Sequence, residues 1–424
     1  MIFVKTIFHW IKTIPKIITI YLLIALLAPI LANEKPILIK YNDHYSFPAL
    51  SNDNYFIIQN SNGEKNNELS DFIQWNELNP QFAIYAPVRW SAGKSDLINS
   101  NFISPFSHQY YQDSDGTKKV LPFYKRHFLG TTRTGQDVLA GLIYGTRIAL
   151  IIGISFVLIS GIIGLVIGGL AGFFGDFKLK ISCVSLFLIA ILFFPAIYIG
   201  RQLVFHTFEN GILKVISLIV AFTCFMVVLL SPIIVESKMK KIKVKRIFIP
   251  LDFLLMRFVE LFLSLPRLIL ILTLAAITKP SLAMLVMIIG LTSWTDIARI
   301  SRAEVMKLRD VEFIQVGRSM GLSFKRLMAG HLLPNIFASL QTLFVYGFAS
   351  AILTETGLSF LGIGLPAGIT SWGTLMFAAR ENFTAWWLVI FPGLSIALLL
   401  VGLNSYASKL GRKSKKGSPV FNIF

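Results

Sequence analysis

The sequence predicts an all-α integral membrane protein, a polytopic bundle of helices with an extracytoplasmic region after the first of them. Two observations carry this. Hydrophobic residues make up 54% of the chain and charged residues only 15%, for a mean hydropathy of +0.67, well outside the range of a soluble domain. The apolar residues also collect in uncharged runs near 20 residues, the length at which a helix crosses a bilayer. Lipid offers backbone groups no hydrogen-bond partner, so helices and closed barrels are the spanning options, and continuous rather than alternating apolar runs select helices.

The net charge of +18 raises nucleic acid as a partner, and the placement of the charges excludes it. They sit in short clusters beside apolar runs, the pattern in which Lys and Arg stay on the cytoplasmic side of a membrane. The two cysteines, Cys183 and Cys224, lie inside apolar runs and read as small hydrophobes. Histidines 44, 108, 127, 206 and 331 are scattered, which argues against a metal site.

In chain order, Lys5, Lys12 and Lys16 precede a run from Ile17 to Asn33. This run is long for a signal peptide, with one candidate cleavage site near Ala32, and is expected to be a retained first helix. Residues 34–140 are rich in Asn, Ser, Asp and Tyr with nearly balanced charge, as expected of an extracytoplasmic region. Within it, Phe56–Ile58 and Phe82–Tyr85 are the clusters expected to pack. Further runs follow at about 146–172, 181–200, 215–235, 254–278, 282–298, 334–354 and 385–406. The first run and these seven make about eight spans with both termini on one side. Segments 1–16, 176–180, 236–250, 299–332 and 407–424 then share a face, and the basic cluster Lys238 to Arg246 and the tail Lys409 to Lys416 mark it as cytoplasmic. The expected division is 1–33, 34–140, a transmembrane domain 141–406, and a basic tail 407–424.

Two motifs have structural readings. "GTTRTGQD" (Gly130 to Asp137) has P-loop-like glycine spacing, but Gln136 and Asp137 stand where Lys and Ser or Thr would hold phosphate and Mg²⁺. Any ATP site must belong to another subunit, and no cofactor, metal or catalytic residue is expected here. In "GIIGLVIGGLAGFFG", Gly164, Gly168 and Gly172 recur every four residues on one helix face, where they let a second helix approach closely. Glu260, Arg267, Asp296, Arg299 and Glu355 fall at or near helix ends, where they either line a water-filled path or reach the interface.

The stretch "FIQVGRSMGLSFKRLMAGHLLPN" (Phe313 to Asn335) separates two apolar runs on the cytoplasmic face. Phe313, Val316 and Met320 share one side at i, i+3 and i+7 of a short helix. Gly321 fits its C-cap, and Ser323 fits the N-cap of a second short helix. Such a helix suits either an anionic lipid surface or a groove in another protein.

With its spacing, this stretch resembles the EAA loop of ABC-importer permeases. Gln315-Val316-Gly317 take the Glu-Ala-Ala positions, Gly321 the following glycine, and His331-Leu332-Leu333-Pro334 the closing motif. Gln315 removes a charge, and Gly317 replaces the second alanine. "HFLGTTRTGQDVLAGLIYGTRIAL" (127–150, with Gln136 where Arg is usual), "MRFVELFLSLPRLIL" (256–270), "WTDIARISRAEVMKLRD" (294–310) and "ETGLSFLGIGLPAGITSWGTLM" (355–376) extend the resemblance over most of 127–406. They point to the C-type permease subunits of dipeptide, oligopeptide and nickel importers, the binding-protein-dependent inner-membrane components. The resemblance implies a type I importer fold with a six-helix core, to which 181–235 adds an extra hairpin. It implies coupling to the ATPase through the loop 311–335, with Phe313, Gln315, Val316, Gly317, Gly321, His331 and Pro334 as the residues concerned. It further implies a homologous B-type permease, two cytoplasmic ATPases that bind the ATP, and an extracytoplasmic substrate-binding protein, in a bacterial inner membrane. The rival readings are an ion-coupled transporter or channel working without an ATPase, and a membrane scaffold. The chain has few of the central charges that an ion-coupled transporter commonly uses, and that rival leaves the 313–335 spacing unexplained.

Overall fold

A computed structural model of the protein describes residues 15–41, 44–50, 55–59, 65–69, 75, 81–112, 117–176, 179–182 and 246–416. Helix α1 (Lys16–Leu31) covers the first apolar run and carries Pro29 in its last turn. A small β region follows. Strands β1 (Leu38–Tyr41), β2 (His44–Ser46) and β5 (Phe82–Ile84) form an antiparallel sheet in the order β2-β1-β5, while β3 (Tyr55–Gln59) pairs with β4 (Lys65–Leu69) and β6 (Tyr110–Gln112) with β7 (Lys118–Val120). Phe56–Ile58 lies on β3 and Phe82–Ile84 on β5, but Phe82 and Ile84 are 50% and 45% exposed, so the second cluster does not pack as expected.

A buried imidazole helps join this region to the helices. His127 is 0% exposed, with Nδ1 2.9 Å from Asp137 Oδ2 and Nε2 3.3 Å from Asp96 Oδ2, and its ring stacks on Trp90 at 4.1 Å between centroids. Asp137 also caps the next helix, its Oδ1 accepting the Ala140 N–H at 2.6 Å. The Gln136 N–H donates to Thr132 Oγ1 at 3.1 Å, and Trp387 Nε1 donates to the Thr131 carbonyl at 3.2 Å. "GTTRTGQD" is thus a helix-entry turn.

Helix α2 (Val138–Phe174) runs for 37 residues, about 55 Å at 1.5 Å per residue. That exceeds the ~30 Å hydrocarbon layer, so it carries the fold well past the apolar run expected at 146–172. The run expected at 254–278 is broken into α3 (Leu251–Leu263) and α4 (Arg267–Ile277), bent by 75°. The cause is Pro266, which has no N–H to continue the ladder. The run expected at 282–298 becomes α5 (Leu282–Thr292) and α6 (Trp294–Arg309), a 28-residue span whose polar last turns had been expected in a loop. Next come α7 (Glu312–Ser319), α8 (Phe324–Leu327), a π-turn (Met328–Leu332), α9 (Leu333–Phe360), α10 (Trp372–Ala378) and α11 (Trp387–Lys416).

Among the described residues four helices are long and apolar enough to cross a membrane, or five with the bent pair as one span, and α1 adds a shorter apolar helix. The expected count of eight included the hairpin 181–235, of which residues 183–235 lie outside the described residues. Its first two residues are not helical: β8 (Leu179–Ser182) pairs antiparallel with β9 (Arg246–Ile249).

The core has two main parts. Phe156, Ile271, Ile289, Ile297, Ile314, Leu327, Leu340 and Phe344 join α2 to α4 through α9. Ala149, Ile352, Trp372, Leu399 and Tyr406 join α2 and α9 to α10 and α11. The glycine face of α2 lies on α6. A Cβ on Gly164 would come 2.6 Å from Ile297 Cβ, on Gly168 2.2 Å from the Ala298 carbonyl oxygen, and on Gly172 2.7 Å from that of Arg302.

Burial alone would push the His127 imidazole down, but its bonds to Asp137 and Asp96 and their charges outweigh burial and hold it above its ordinary value. Burial would raise Asp96, and the bonds from His127, Asn99 and the Ile98 N–H, with the imidazole charge, hold it below. A raised folded-state value contributes stability that is fully present below about pH 6.5 and lost as pH rises through it. The depressed Asp96 contributes stability above about pH 4 that is lost on acidification. Hydrogen exchange of amides 90–137, corrected for intrinsic pH effects, should therefore be slowest between these limits and speed up on the alkaline side, and His127→Gln should flatten that alkaline limb. An alkaline limb unchanged in His127→Gln would contradict the assignment.

Candidate functional site

The connection from α6 to α7 has no slack. Only Asp310 and Val311 separate them, and the Val311 N–H bonds the Leu308 carbonyl at 3.2 Å while the Ile314 N–H bonds that of Val311 at 3.0 Å. Helix α7 is held by its inner side, where Ile314 is 0% exposed in the core. Gly317 is buried beside it, where a Cβ would stand 3.0 Å from Leu327 Cδ2 and 3.2 Å from Leu322 Cδ1. An added Cβ there would require both leucine side chains to give by a few tenths of an ångström.

The opposite side of α7 is left open. Phe313 is 38%, Val316 55% and Met320 70% exposed, an apolar stripe without cover among the described residues. Gln315 is exposed, and its Nε2 donates to the Asp310 carbonyl at 2.9 Å, so the neutral amide braces the helix entry. Gly321 ends the helix at φ +76°. The Leu322 N–H then reaches the Gly317 carbonyl at 3.1 Å, the six-to-one bond of a Schellman cap.

The chain returns through α8, whose Leu327 N–H bonds the Ser323 carbonyl at 3.0 Å. His331 is exposed, its ring 6.3 Å from that of Phe313, and Pro334 sits in the first turn of α9, where its missing N–H costs nothing. The seven residues expected in the loop thus divide. Phe313 and His331 come together, Val316 and Gln315 face outward, and Gly317, Gly321 and Pro334 shape the backbone.

The charged residues considered for a path do not converge. Arg257 and Glu260 form an exposed pair at 2.8 Å, Arg267 donates to Ser293 Oγ, and Asp296 and Arg299 are exposed. Glu355 is 1% exposed in α9 and accepts from Ser359 Oγ at 2.7 Å. Ser359 also lines a cavity of about 540 Å³ at the end of α9 far from α7, with the Arg133–Glu381 ion pair (3.0 Å) among its walls. Sequence reasoning missed Asp252 with Arg302, and Arg309, whose contacts join helices far apart in sequence. The one available signal was an acid in the first turn of α3 and two bases one heptad apart on α6.

Residues 245–416 match the family model described as "Binding-protein-dependent transport system inner membrane component". The membrane core of this chain is thus similar to that family. The Escherichia coli K12 "Inner membrane ABC transporter permease protein YejE" is 25% identical over 378 residues, 89% of this chain and 84% of that protein. A Brucella ovis protein named "Putative peptide permease protein" is 40% identical over 161 residues, and a Brucella suis "Putative peptide transport system permease protein" 34% identical over 154. Each of those matches covers 36% of this chain and 52% of the relative, so the matched chain spans about half the length of the two Brucella proteins. A solved inward-facing form of the MetNI methionine ABC transporter matches at 13% identity over 54% of this chain and 90% of that one, with a TM-score of 0.28.

A Cβ on Gly321 would meet nothing within 4 Å, so a side chain there suffers only from the backbone. Gly321→Val should cost about 1–2 kcal/mol locally and raise amide exchange over 317–327, with membrane insertion intact because no spanning helix changes. Unaltered exchange in that loop would show that the turn does not require glycine.

Proposed function

We propose that this permease is half of the translocation path of an ATP-driven importer for peptides or a related small solute, nickel included. In this reading a homologous B-type permease completes the path. Two cytoplasmic ATPases bind and hydrolyse the ATP, and an extracytoplasmic binding protein delivers the solute. The chain itself carries no catalytic residue in this scheme and holds no cofactor. Eight spans with both termini cytoplasmic complete the proposal, the hairpin 181–235 being an addition to a six-helix core and 34–140 standing outside the membrane.

The observation that carries the reading is the stripe Phe313, Val316 and Met320, exposed among the described residues, on a helix whose other side is packed into the core. A helix anchored by Ile314 and offering three apolar side chains suits a groove in a partner. The relatives' names support a peptide solute, and the EAA spacing supports an ATPase as the occupant of the stripe. Closure of the ATPase dimer on ATP would displace α7, and rigid helices would convert that displacement into alternating exposure of the path.

Single cysteines at 313, 316 and 320, paired with cysteines along the ATPase surface in the assembled complex, test this. Cross-links from all three, changing in yield with ATP, are expected. Cross-links from control positions but none from this stripe would leave lipid as its cover and remove the coupling role.

A further inference from the structure

Where α2, α3 and α6 end beside α7, three contacts close a triangle. Arg309, the last residue of α6, donates from Nη1 to the Gly172 carbonyl at 2.7 Å. That carbonyl is among the last four of α2, which lack an intrahelical partner, and the guanidinium stands at the negative end of the helix dipole. The bond is possible because Gly172 lets α6 approach: a Cβ there would come 2.7 Å from both the Arg302 carbonyl oxygen and Val305 Cβ. Two turns earlier on α6, Arg302 grips Asp252 at the start of α3 with two parallel bonds, Nε to Oδ1 and Nη2 to Oδ2. The third side runs from α3 to α2. The Asp252 N–H points to the Gly175 carbonyl at 3.4 Å, and the Phe253 N–H donates to Asp176 Oδ1 at 2.9 Å.

We propose that Arg309 is a positioning residue that makes α7 and α2 move as one body, the Arg302–Asp252 pair adding α3 to it. This rests on the reading that α7 receives the ATPase. The route from the docked stripe is short: α7 is bonded through Val311 to Leu308, Arg309 is the adjacent residue, and its side chain is only 17% exposed. A displacement of α7 must either carry the 37-residue α2 with it or break the Arg309 bond and slide α6 along the glycine seam. The seam opposes sliding, because its glycines face carbonyls and side chains at distances that leave no room for a shift in register.

Two measurements on the assembled complex test the proposal. Nitroxide labels at Val166, 51% exposed on α2, and Ser319 on α7 should keep one distance with and without ATP, while a Ser319–Leu398 pair, reaching to α11, changes. Arg309→Gln should let the 166–319 distance shift on ATP and lower solute taken up per ATP hydrolysed by about fivefold or more. Arg309→Lys, which keeps a positive donor at the α2 terminus, should retain most of that ratio. A 166–319 distance that moves with ATP in the unaltered protein overturns the proposal even if the variants fail to assemble, as does an unchanged uptake-to-hydrolysis ratio in Arg309→Gln. Cross-links to the ATPase with a moving 166–319 distance defeat this inference alone, and absent cross-links defeat the underlying reading.

Discussion

The structure depends on the close approach of α2 and α6. In lipid no hydrophobic effect drives helices together, so association rests on packing and on hydrogen bonds, and small residues set how near two backbones can come. Gly164, Gly168 and Gly172 put the α6 backbone within van der Waals contact of α2 over two turns. Ile297, Ala298 and Val305, all buried, fill the α6 side. Once that seam is set, the Gly172 carbonyl is within reach of Arg309 and the start of α7 is fixed, and Ile314 and Leu327 can close the core beneath the loop.

The seam also explains how one chain serves two ends. At the end bearing α7, an apolar stripe faces outward from a helix with no slack at its root. At the other end of α9, the Arg133–Glu381 pair and Ser359 border a cavity, with the buried Glu355 carboxyl held by the Ser359 hydroxyl. Helices α2 and α9 run between these ends, and they meet where Phe156 of α2 lies against Gly347 and Phe344 of α9 against Gly161. A disturbance at the stripe thus has continuous packed structure through which to reach the cavity.

Much of this was legible in the sequence where one local rule governs. The four-residue glycine spacing located the α2 seam, and Gly321 marked a turn that has positive φ. The i, i+3, i+7 pattern located the stripe but not what holds it, because Ile314 is anchored by residues from other helices. The break at Pro266 was readable as a proline rule, yet the apolar run masked it. The polar last turns of α6 were expected in a loop, since hydropathy ends at Ala298 while the helix continues to Arg309 on tertiary contacts. His127, Asp96 and Asp137 gave no local signal, because a buried imidazole between two carboxylates is created by chain reversal, not by spacing. Residues 183–235 lie outside the described residues, so the hairpin stays a reading of the sequence.

The seam has no room for a side chain where glycine stands. Gly168→Ala places a Cβ 2.2 Å from a backbone oxygen, whereas Gly357→Ala on α9 meets nothing within 4 Å. Thermal unfolding of the two purified variants separates the claim from a general effect of glycine in helices. The seam predicts that Gly168→Ala lowers stability by about 1–3 kcal/mol while Gly357→Ala is neutral or raises it by up to about 1 kcal/mol. Equal behaviour of the two variants would contradict it.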